Sequence, residues 1–339
     1  MGVTRTFRRR ETLRRMGVIT TVVNDMPSSA FEERVAREPI FVVLGVQGSG
    51  TNLLCRILRR AFNFLLIEDG SVIFRSAARL GTDPSAAQVR RACALVHSRL
   101  EPSALTRKTR RLIKVNADYS GLDRHVDTAR IRSGADFARF VYSYGAFRLG
   151  TQRMAIKSDD IWEDIAHIDD VLPNRRIILL TRDFRDNLLS VSRKDFGPVE
   201  PLNAAWYVKK QFACYQEEYA RARPEHRFHV RYEDLLESPL SVVERLAHHF
   251  EMPPVVGGER AVEALNIRKG NRRKWTAIGA RTLAHVEAVL RDELTAYGYQ
   301  PSTEWAAPPG AAAWATASVS DALKRVPQKG WRLIKRLGR

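Results

Sequence analysis

The segment over residues 39–62 constrains the fold of this chain more than any other. It begins with the apolar run PIFVVLGV, which is typical of a strand buried on both faces of a parallel sheet. The glycine-rich turn QGSG follows, and residues 51–62 then place leucine and isoleucine on one helical face and arginines on the other. A strand, a glycine loop and a helix in this order are typical of a phosphate-binding loop.

Strands and helices continue to alternate along the rest of the chain. Apolar runs predict strands in QRMAIKS, RRIILLTRD and RFHVRYEDL, and amphipathic patterns predict helices in DDIWEDIAHIDDVL, in FRDNLLSVSRK and over about residues 201–222. Ser238 predicts the N-cap of a further helix, with Pro239 at its first position. We therefore expect an α/β fold, a P-loop-like three-layer α/β/α arrangement with a central parallel sheet flanked by helices. Ligands of such a sheet bind beyond the carboxyl ends of its strands.

The pattern also predicts how the chain is divided. Residues 1–37 form a basic leader, and residues 38–300 form the α/β domain. Within the domain, residues 63–150 have a less regular pattern, with polar helical segments such as 86–101 and a strand candidate at 111–116, and we expect them to face the substrate. Residues 301–339 begin as a Pro/Ala-rich linker and end as a basic amphipathic tail.

The charge of the chain indicates an anionic partner. Lys and Arg number 56 against 38 Asp and Glu, which gives a formal net charge of +18. Such a surplus attracts nucleic acid, anionic lipid headgroups or phosphate-bearing small molecules. The basic residues are scattered and most concentrated at the two ends, which argues against nucleic acid. The basic tail is predicted either to contact a membrane surface or to be solvated.

The cysteines and the hydropathy predict a cytoplasmic protein. Cys55, Cys93 and Cys214 lie far apart, so they form neither a metal-ligand spacing nor a disulfide framework. No apolar run reaches the ~18 residues that a membrane span requires.

The glycine loop has the groups that a phosphate needs. Gly48 and Gly50 allow the backbone to curl so that N–H groups point inward, and the following helix adds its dipole. Ser49 and Thr51 add hydroxyl donors. The lysine of nucleotide hydrolases is absent, since Thr51 and Asn52 follow Gly50. The loop alone is equally compatible with a plain helix N-cap after a buried strand.

A second phosphate site is predicted further along the chain. Arg182 ends the strand RRIILLTRD, and Ser190 lies on the next helix, so that a guanidinium and a hydroxyl clamp one phosphate. A basic loop with Arg268, Lys269 and Gly270 suits the same anion. Two phosphate sites indicate a nucleotide that is phosphorylated at both ends of its ribose.

These elements together resemble the sulfotransferases that use 3′-phosphoadenosine 5′-phosphosulfate. The family's [KR]-[ST]-G-T-[TN] loop corresponds to residues 48–52, and its R-x₇-S pair corresponds to Arg182 and Ser190. Its R-K-G-x₄-W segment corresponds to residues 268–275, and its Y-E-D segment begins here with Tyr232, which the resemblance puts near the adenine. The resemblance covers residues 41–275 and leaves out the leader, the insertion at 63–150 and the tail.

The resemblance implies an enzyme and a co-substrate. The domain over residues 38–300 is expected to transfer a sulfuryl group from 3′-phosphoadenosine 5′-phosphosulfate to a hydroxyl of a glycan, glycolipid or small-molecule acceptor, without a metal. The family has a lysine or arginine in the loop that stabilises the leaving phosphate, and this chain has Gly48 at that position. Another group must then supply the charge.

Lys157 is the candidate for that charge, and Asp159 is the candidate base. The family's strand end K-T-H corresponds to Lys157, Ser158 and Asp159. Lys157 is expected to hold the transferring sulfuryl group, and the Gln47 amide adds a donor. Asp159 is expected either to accept the acceptor's proton or only to cap the helix that follows.

Two alternatives remain open at this point. A P-loop nucleotide or sugar kinase would use the same glycine loop, but it would need a lysine after Gly50. A catalytically inactive relative would bind the nucleotide without transferring its sulfuryl group, which the glycine at position 48 allows.

Overall fold

The computed structural model describes most of the α/β domain and part of the C-terminal segment. The described residues are 37–67, 71–100, 119–157, 168–172, 174–194, 197–267, 272–302, 304–322 and 324, with the side chains of 169 and 170 excluded. The basic leader, the strand candidate at 111–116 and the basic tail beyond 324 lie outside these residues.

Five parallel strands form one central sheet. They are β1 (Ile40–Leu44), β2 (Leu65–Ile67), β3 (Met154–Ile156), β4 (Arg175–Thr181) and β5 (Arg227–Arg231), in the order β2-β3-β1-β4-β5. Every pair in this order is parallel. The chain first builds the sheet on one side of β1 and then crosses to the other side with β4, so β1 and β4 mark the point where the strand order reverses. Ligands of open α/β sheets bind at such a point.

The sheet is buried on both faces, as its apolar runs predict. Alternate residues of a strand point to opposite faces. Val42 and Leu44 of β1 belong to one hydrophobic core with Ile177 of β4, whereas Phe41 and Val43 belong to a second core on the other face. The predicted three-layer α/β/α fold is therefore confirmed.

Helices cover both faces of the sheet. Within the described residues they are α1 (Thr51–Phe62), α2 (Ser71–Leu80), α3 (Ala86–Leu100), α4 (Leu122–His125), α5 (Gly134–Leu149), α6 (Ile168–Val171), α7 (Phe184–Val191), α8 (Pro201–Arg221), α9 (Tyr232–Glu237), α10 (Pro239–His249), α11 (Gly258–Glu263), α12 (Ala280–Val289) and α13 (Arg291–Ala296). A 3₁₀ turn at Lys274–Ala277 precedes α12.

The sequence analysis identified most of these elements but missed some details. The three-residue strand β2 was not predicted, because a run this short has no periodicity of its own. The segment RFHVRYEDL is a strand only as far as Arg231, and its last residues begin the helix α9. Ser238 is the N-cap residue of α10, with Pro239 at the first position, but its side chain makes no capping hydrogen bond.

The C-terminal segment contacts the domain. Residues 311–322 are helical. Oδ1 of Asp321 accepts hydrogen bonds from the backbone N–H groups of Val199 (2.6 Å) and Glu200 (2.9 Å), which lie at the start of α8. Arg291 donates to the carbonyl of Ala306 at 2.6 Å. Residues 304–322 are therefore held on the domain, and the domain boundaries proposed above stay a prediction.

A buried arginine ties α7 to the C-terminal part of the domain. Arg185 donates to Asp183 at 2.8 Å and to Glu287 of α12 at 2.5 Å, and its guanidinium lies 3.9 Å from the ring centre of Trp275. Glu287 also accepts from the backbone and the hydroxyl of Ser302. This network holds the segment around Trp275 in place beside α7.

Replacing Glu287 should therefore destabilise the fold. In Glu287→Ala, the buried guanidinium of Arg185 loses a charged partner, and we expect the free energy of unfolding to fall by about 3 kcal/mol. Glu217→Ala is a matched control, because Glu217 forms an exposed pair with Arg221 on α8, and its loss should be under about 0.5 kcal/mol. Urea denaturation measures both, and equal losses would contradict the role given to Arg185.

Candidate functional site

A cavity opens at the carboxyl ends of four strands. It has a volume of about 330 Å³ and lies where β1, β3, β4 and β5 lead into loops or helices. Glycine-loop residues, strand-end residues and the end of α7 line it: Gln47, Gly48, Gly50, Thr51, Asn52, Lys157, Arg182, Ser190, Arg193, Lys194 and Tyr232. The two anion sites predicted from separate segments of the sequence thus share one cavity.

The loop after β1 needs glycine at two positions. Gly48 and Gly50 have φ angles of +87° and +100°, which favour glycine. A Cβ atom at Gly48 would lie 2.4 Å from the Cβ of Ser190, and one at Gly50 would lie 2.3 Å from the ring of Tyr232. The loop is therefore packed between α7 and the start of α9, with no space for side chains at these positions.

Two hydrogen bonds from backbone N–H groups hold the glycine loop in its conformation. The backbone N–H of Ser49 donates to the carbonyl of Val46 at 2.9 Å, and that of Gln47 donates to Oε1 of Gln211 at 3.2 Å. Gln211 is fully buried on α8. The sequence analysis missed Gln211, because a single polar residue in a long helix carries no signal that it contacts a loop far away in sequence.

The hydroxyls of the loop have different surroundings. Ser49 is fully buried, and a Cβ atom at Gly45 would lie 2.6 Å from its Oγ, so this side chain lies beneath the loop. Thr51 begins α1 and, although buried, lines the cavity together with the exposed Asn52. Thr51 and Asn52 thus lie at the cavity with the first turn of α1.

Arg182 connects the loop, α7 and Tyr232. Its guanidinium is 2% exposed and lies 4.6 Å from the ring centre of Tyr232. Nη1 donates to the carbonyl of Gly48 at 2.8 Å, and Nη2 donates to Oδ2 of Asp186 at 2.9 Å. Ser190 lies beside Gly48 at the same cavity. The predicted pair of Arg182 and Ser190 therefore meets the glycine loop.

Asp186 joins this group to the segment before α12. Its Oδ2 also accepts a hydrogen bond from the backbone N–H of Arg273 at 3.1 Å, and its Oδ1 accepts one from that of Trp275 at 3.3 Å. Asp186 is 1% exposed. The sequence analysis missed this role, because both partners are backbone groups of a distant segment. Arg268, Lys269 and Gly270, the predicted basic loop, lie outside the described residues.

Lys157 follows β3 and lines the same cavity. It is 7% exposed, and its backbone N–H donates to the carbonyl of Ile67 at 2.9 Å. Lys157 thus shares the cavity with the glycine loop at a mostly buried position. Asp159, the predicted base, lies outside the described residues.

Three further cations lie at or near the cavity, and the sequence analysis named none of them as a site residue. Arg193 and Lys194 line it just after the end of α7. Lys274 lies on the 3₁₀ turn before α12, and its pKa is lowered by burial and by the charges of Arg182 and Arg193. The motif-based analysis could not find these residues, because their position depends on how two distant segments meet.

Comparisons with known proteins point to one family. A model of the sulfotransferase family matches residues 39–255, which is more than half of the chain. The sulfotransferase domain of the Synechococcus PCC 7002 olefin synthase is 14% identical, with a TM-score of 0.52 over 78% of this chain and 95% of that one. The sulfotransferase domain from the curacin biosynthetic pathway is also 14% identical, with a TM-score of 0.51 over 78% of this chain and 99% of that one.

A search of curated proteins gave no significant match. The solved structures show that the chain has the fold of these domains. No helix in the described part of the chain is both long and apolar enough to cross a membrane.

The contact between Gly48 and Ser190 gives a stability test. In Gly48→Ala, the left-handed backbone and the overlap with Ser190 should together lower the free energy of unfolding by about 3 kcal/mol. Gly257→Ala is the matched control, since Gly257 has a φ of +74° and open space around it, and it should cost only about 1 kcal/mol.

A double-mutant cycle with Ser190→Gly, followed by urea denaturation, isolates the overlap. It should show a favourable coupling of about 1–2 kcal/mol, because removing the Cβ of Ser190 makes room for the new methyl group. Absence of coupling would show that Gly48 is required for its backbone angle alone.

Proposed function

The chain belongs to the sulfotransferase family, and from that premise we propose that it transfers a sulfuryl group from 3′-phosphoadenosine 5′-phosphosulfate to a hydroxyl of an acceptor. The observation that carries this proposal is the single cavity shared by the glycine loop and the pair of Arg182 and Ser190. A nucleotide phosphorylated on both sides of its ribose needs two anion sites within one molecule's length of each other.

The residues of the cavity fit such a donor. Gly48 and Gly50 keep the loop free of side chains, because a Cβ atom there would collide with Ser190 or Tyr232, and a phosphate can approach the backbone and the first turn of α1. We assign the 5′-phosphosulfate to this loop, with the Gln47 amide and Thr51 as donors. Arg182 and Ser190 hold the 3′-phosphate, and Tyr232 contacts the adenine. Arg268, Lys269 and Gly270 are proposed to contact the same phosphate.

The reaction exchanges one S–O bond for another. The acceptor oxygen attacks sulfur, its proton passes to a base, and the bond between sulfur and the 5′-phosphate oxygen breaks, which leaves adenosine 3′,5′-bisphosphate. Negative charge grows on the leaving oxygen, and preorganised donors stabilise it. Lys157 at the end of β3 holds the sulfuryl group, and Asp159 is the proposed base. No metal is needed for these roles.

The acceptor is proposed to be a glycan, a glycolipid or a related small molecule. Support comes from the net charge of +18, which suits an anionic acceptor or an anionic lipid surface. We propose a cytoplasmic location with peripheral membrane contact through the basic tail. The described cysteines form no disulfide with one another, which suits a reducing compartment.

Transfer of labelled sulfate tests the activity. The protein is incubated with ³⁵S-labelled donor and with lipid, polysaccharide and small-molecule fractions of the source cell, and label should enter one fraction while adenosine 3′,5′-bisphosphate is released. Thermal unfolding with this bisphosphate or with ATP and Mg²⁺ distinguishes the alternatives. Stabilisation by ATP and Mg²⁺ alone would favour a kinase, and stabilisation by the bisphosphate without any transfer would favour an inactive relative.

The role of Lys157 is tested by replacing its charge. Lys157→Met keeps most of the length of the side chain but removes the cation proposed to hold the transferring group, so kcat should fall by about 10²–10³-fold. Affinity for adenosine 3′,5′-bisphosphate, which lacks the sulfuryl group, should change by less than about threefold. Lys210→Met is the control, because Lys210 is exposed on α8. Wild-type turnover in Lys157→Met would refute this role.

A further inference from the structure

The charge of Arg182 is already balanced within the protein. Its Nη2 lies 2.9 Å from Oδ2 of Asp186, and both side chains are 2% exposed. The pair therefore has no net charge. Arg182 can direct hydrogen bonds toward a ligand, but together with Asp186 it does not compensate the charge of an anion.

A phosphate monoester needs more positive charge than this pair provides. Such a group carries about −1.5 to −2 charges at neutral pH. Removing it from water into a cavity is costly unless cations of the protein face it. A dianion bound beside Arg182 and Ser190 therefore requires further positive charge, to which Arg268 and Lys269 are proposed to contribute.

Arg193 and Lys274 add positive charge next to this pair. Arg193 lines the cavity three residues after Ser190, just past the end of α7. Lys274 lies between Arg273 and Trp275, whose backbone N–H groups both donate to Asp186. The carboxylate that balances Arg182 thus also holds the backbone on either side of Lys274. In the described part of the chain, neither Arg193 nor Lys274 forms an ion pair.

The electrostatics of Lys274 agree with this placement. Burial lowers its pKa, the charges of Arg182 and Arg193 lower it further, and Asp186 opposes the shift. Positive charge is therefore in excess around Lys274 when no anion is bound. Such clusters are favourable for a bound anion, which would raise the pKa again.

We infer that Arg193 and Lys274 bind the 3′-phosphate of the donor together with Arg182 and Ser190, and that they make the site selective for a phosphate dianion at this position. The inference rests on the proposed function, because it takes the donor nucleotide as the ligand. Asp186 acts as a positioning residue, which holds the backbone around Lys274 next to Arg182.

Calorimetric titration of the full chain with adenosine 3′,5′-bisphosphate and with 5′-AMP tests this inference. Arg193→Gln and Lys274→Met should each weaken binding of the bisphosphate about tenfold and the double variant about a hundredfold, while affinity for 5′-AMP changes less than about twofold. Lys274→Arg should keep most of the affinity. Lys210→Met controls for the change in total charge.

Proton uptake gives a second measurement that a purely structural role would not affect. As the pH rises through the lowered pKa of Lys274, the free protein loses this proton, and binding of the bisphosphate restores it. Titration at alkaline pH in buffers of different ionisation enthalpy should therefore detect proton uptake in the wild type and less uptake in Lys274→Met.

The outcomes separate the inference from the proposed function. Suppose that the wild type prefers the bisphosphate. If both variants then bind the bisphosphate as tightly as the wild type does, or lose affinity for the bisphosphate and for 5′-AMP equally, the inference is wrong and the proposed function stands. A wild type that binds the bisphosphate no more tightly than 5′-AMP would overturn both. Thermal unfolding of each variant confirms that it is folded.

Discussion

The guanidinium of Arg182 is the interaction on which the rest of the site depends. It is buried, yet it has a carbonyl partner at Gly48, a carboxylate partner at Asp186 and an aromatic ring beneath it at Tyr232. These partners belong to the loop after β1, to α7 and to the residue after β5. A single charged group thus holds together three segments that the sheet only brings near one another. Because a buried charge is costly without partners, each contact also fixes the position of the other two.

This arrangement explains how the chain differs from the pattern of its family. The resemblance puts a lysine or arginine at position 48, and here that position is a glycine in contact with Ser190. The loop thus has no cationic side chain of its own at this point. Positive charge instead comes from other elements, from Lys157 at the end of β3 and from Arg193 and Lys194 after α7. The cationic side chains at the cavity thus belong to the elements around the loop and not to position 48 of the loop itself.

The sequence was informative where structure depends on neighbouring residues. The bounds of α1 follow from its apolar face and from the glycines before it, and the strand that contains Arg182 follows from its apolar run. Contacts between segments that are distant in the sequence could not be predicted. Gln211 and Asp186 are ordinary polar residues of helices, and only the fold shows that they bind the backbone of the glycine loop and of the segment around Trp275. Lys274 was missed for the same reason, since its neighbours Arg182 and Arg193 are remote in the chain.

The contact of Asp321 with the start of α8 determines when, during synthesis, the backbone N–H groups at this helix start acquire their partner. Glu200 provides no side-chain cap for this helix, and the N–H groups of Val199 and Glu200 are bound by a carboxylate that is translated more than a hundred residues later. While the chain is still emerging from the ribosome, these groups have only water as a partner. The start of α8 therefore gains this anchor only after more than a hundred further residues have been translated.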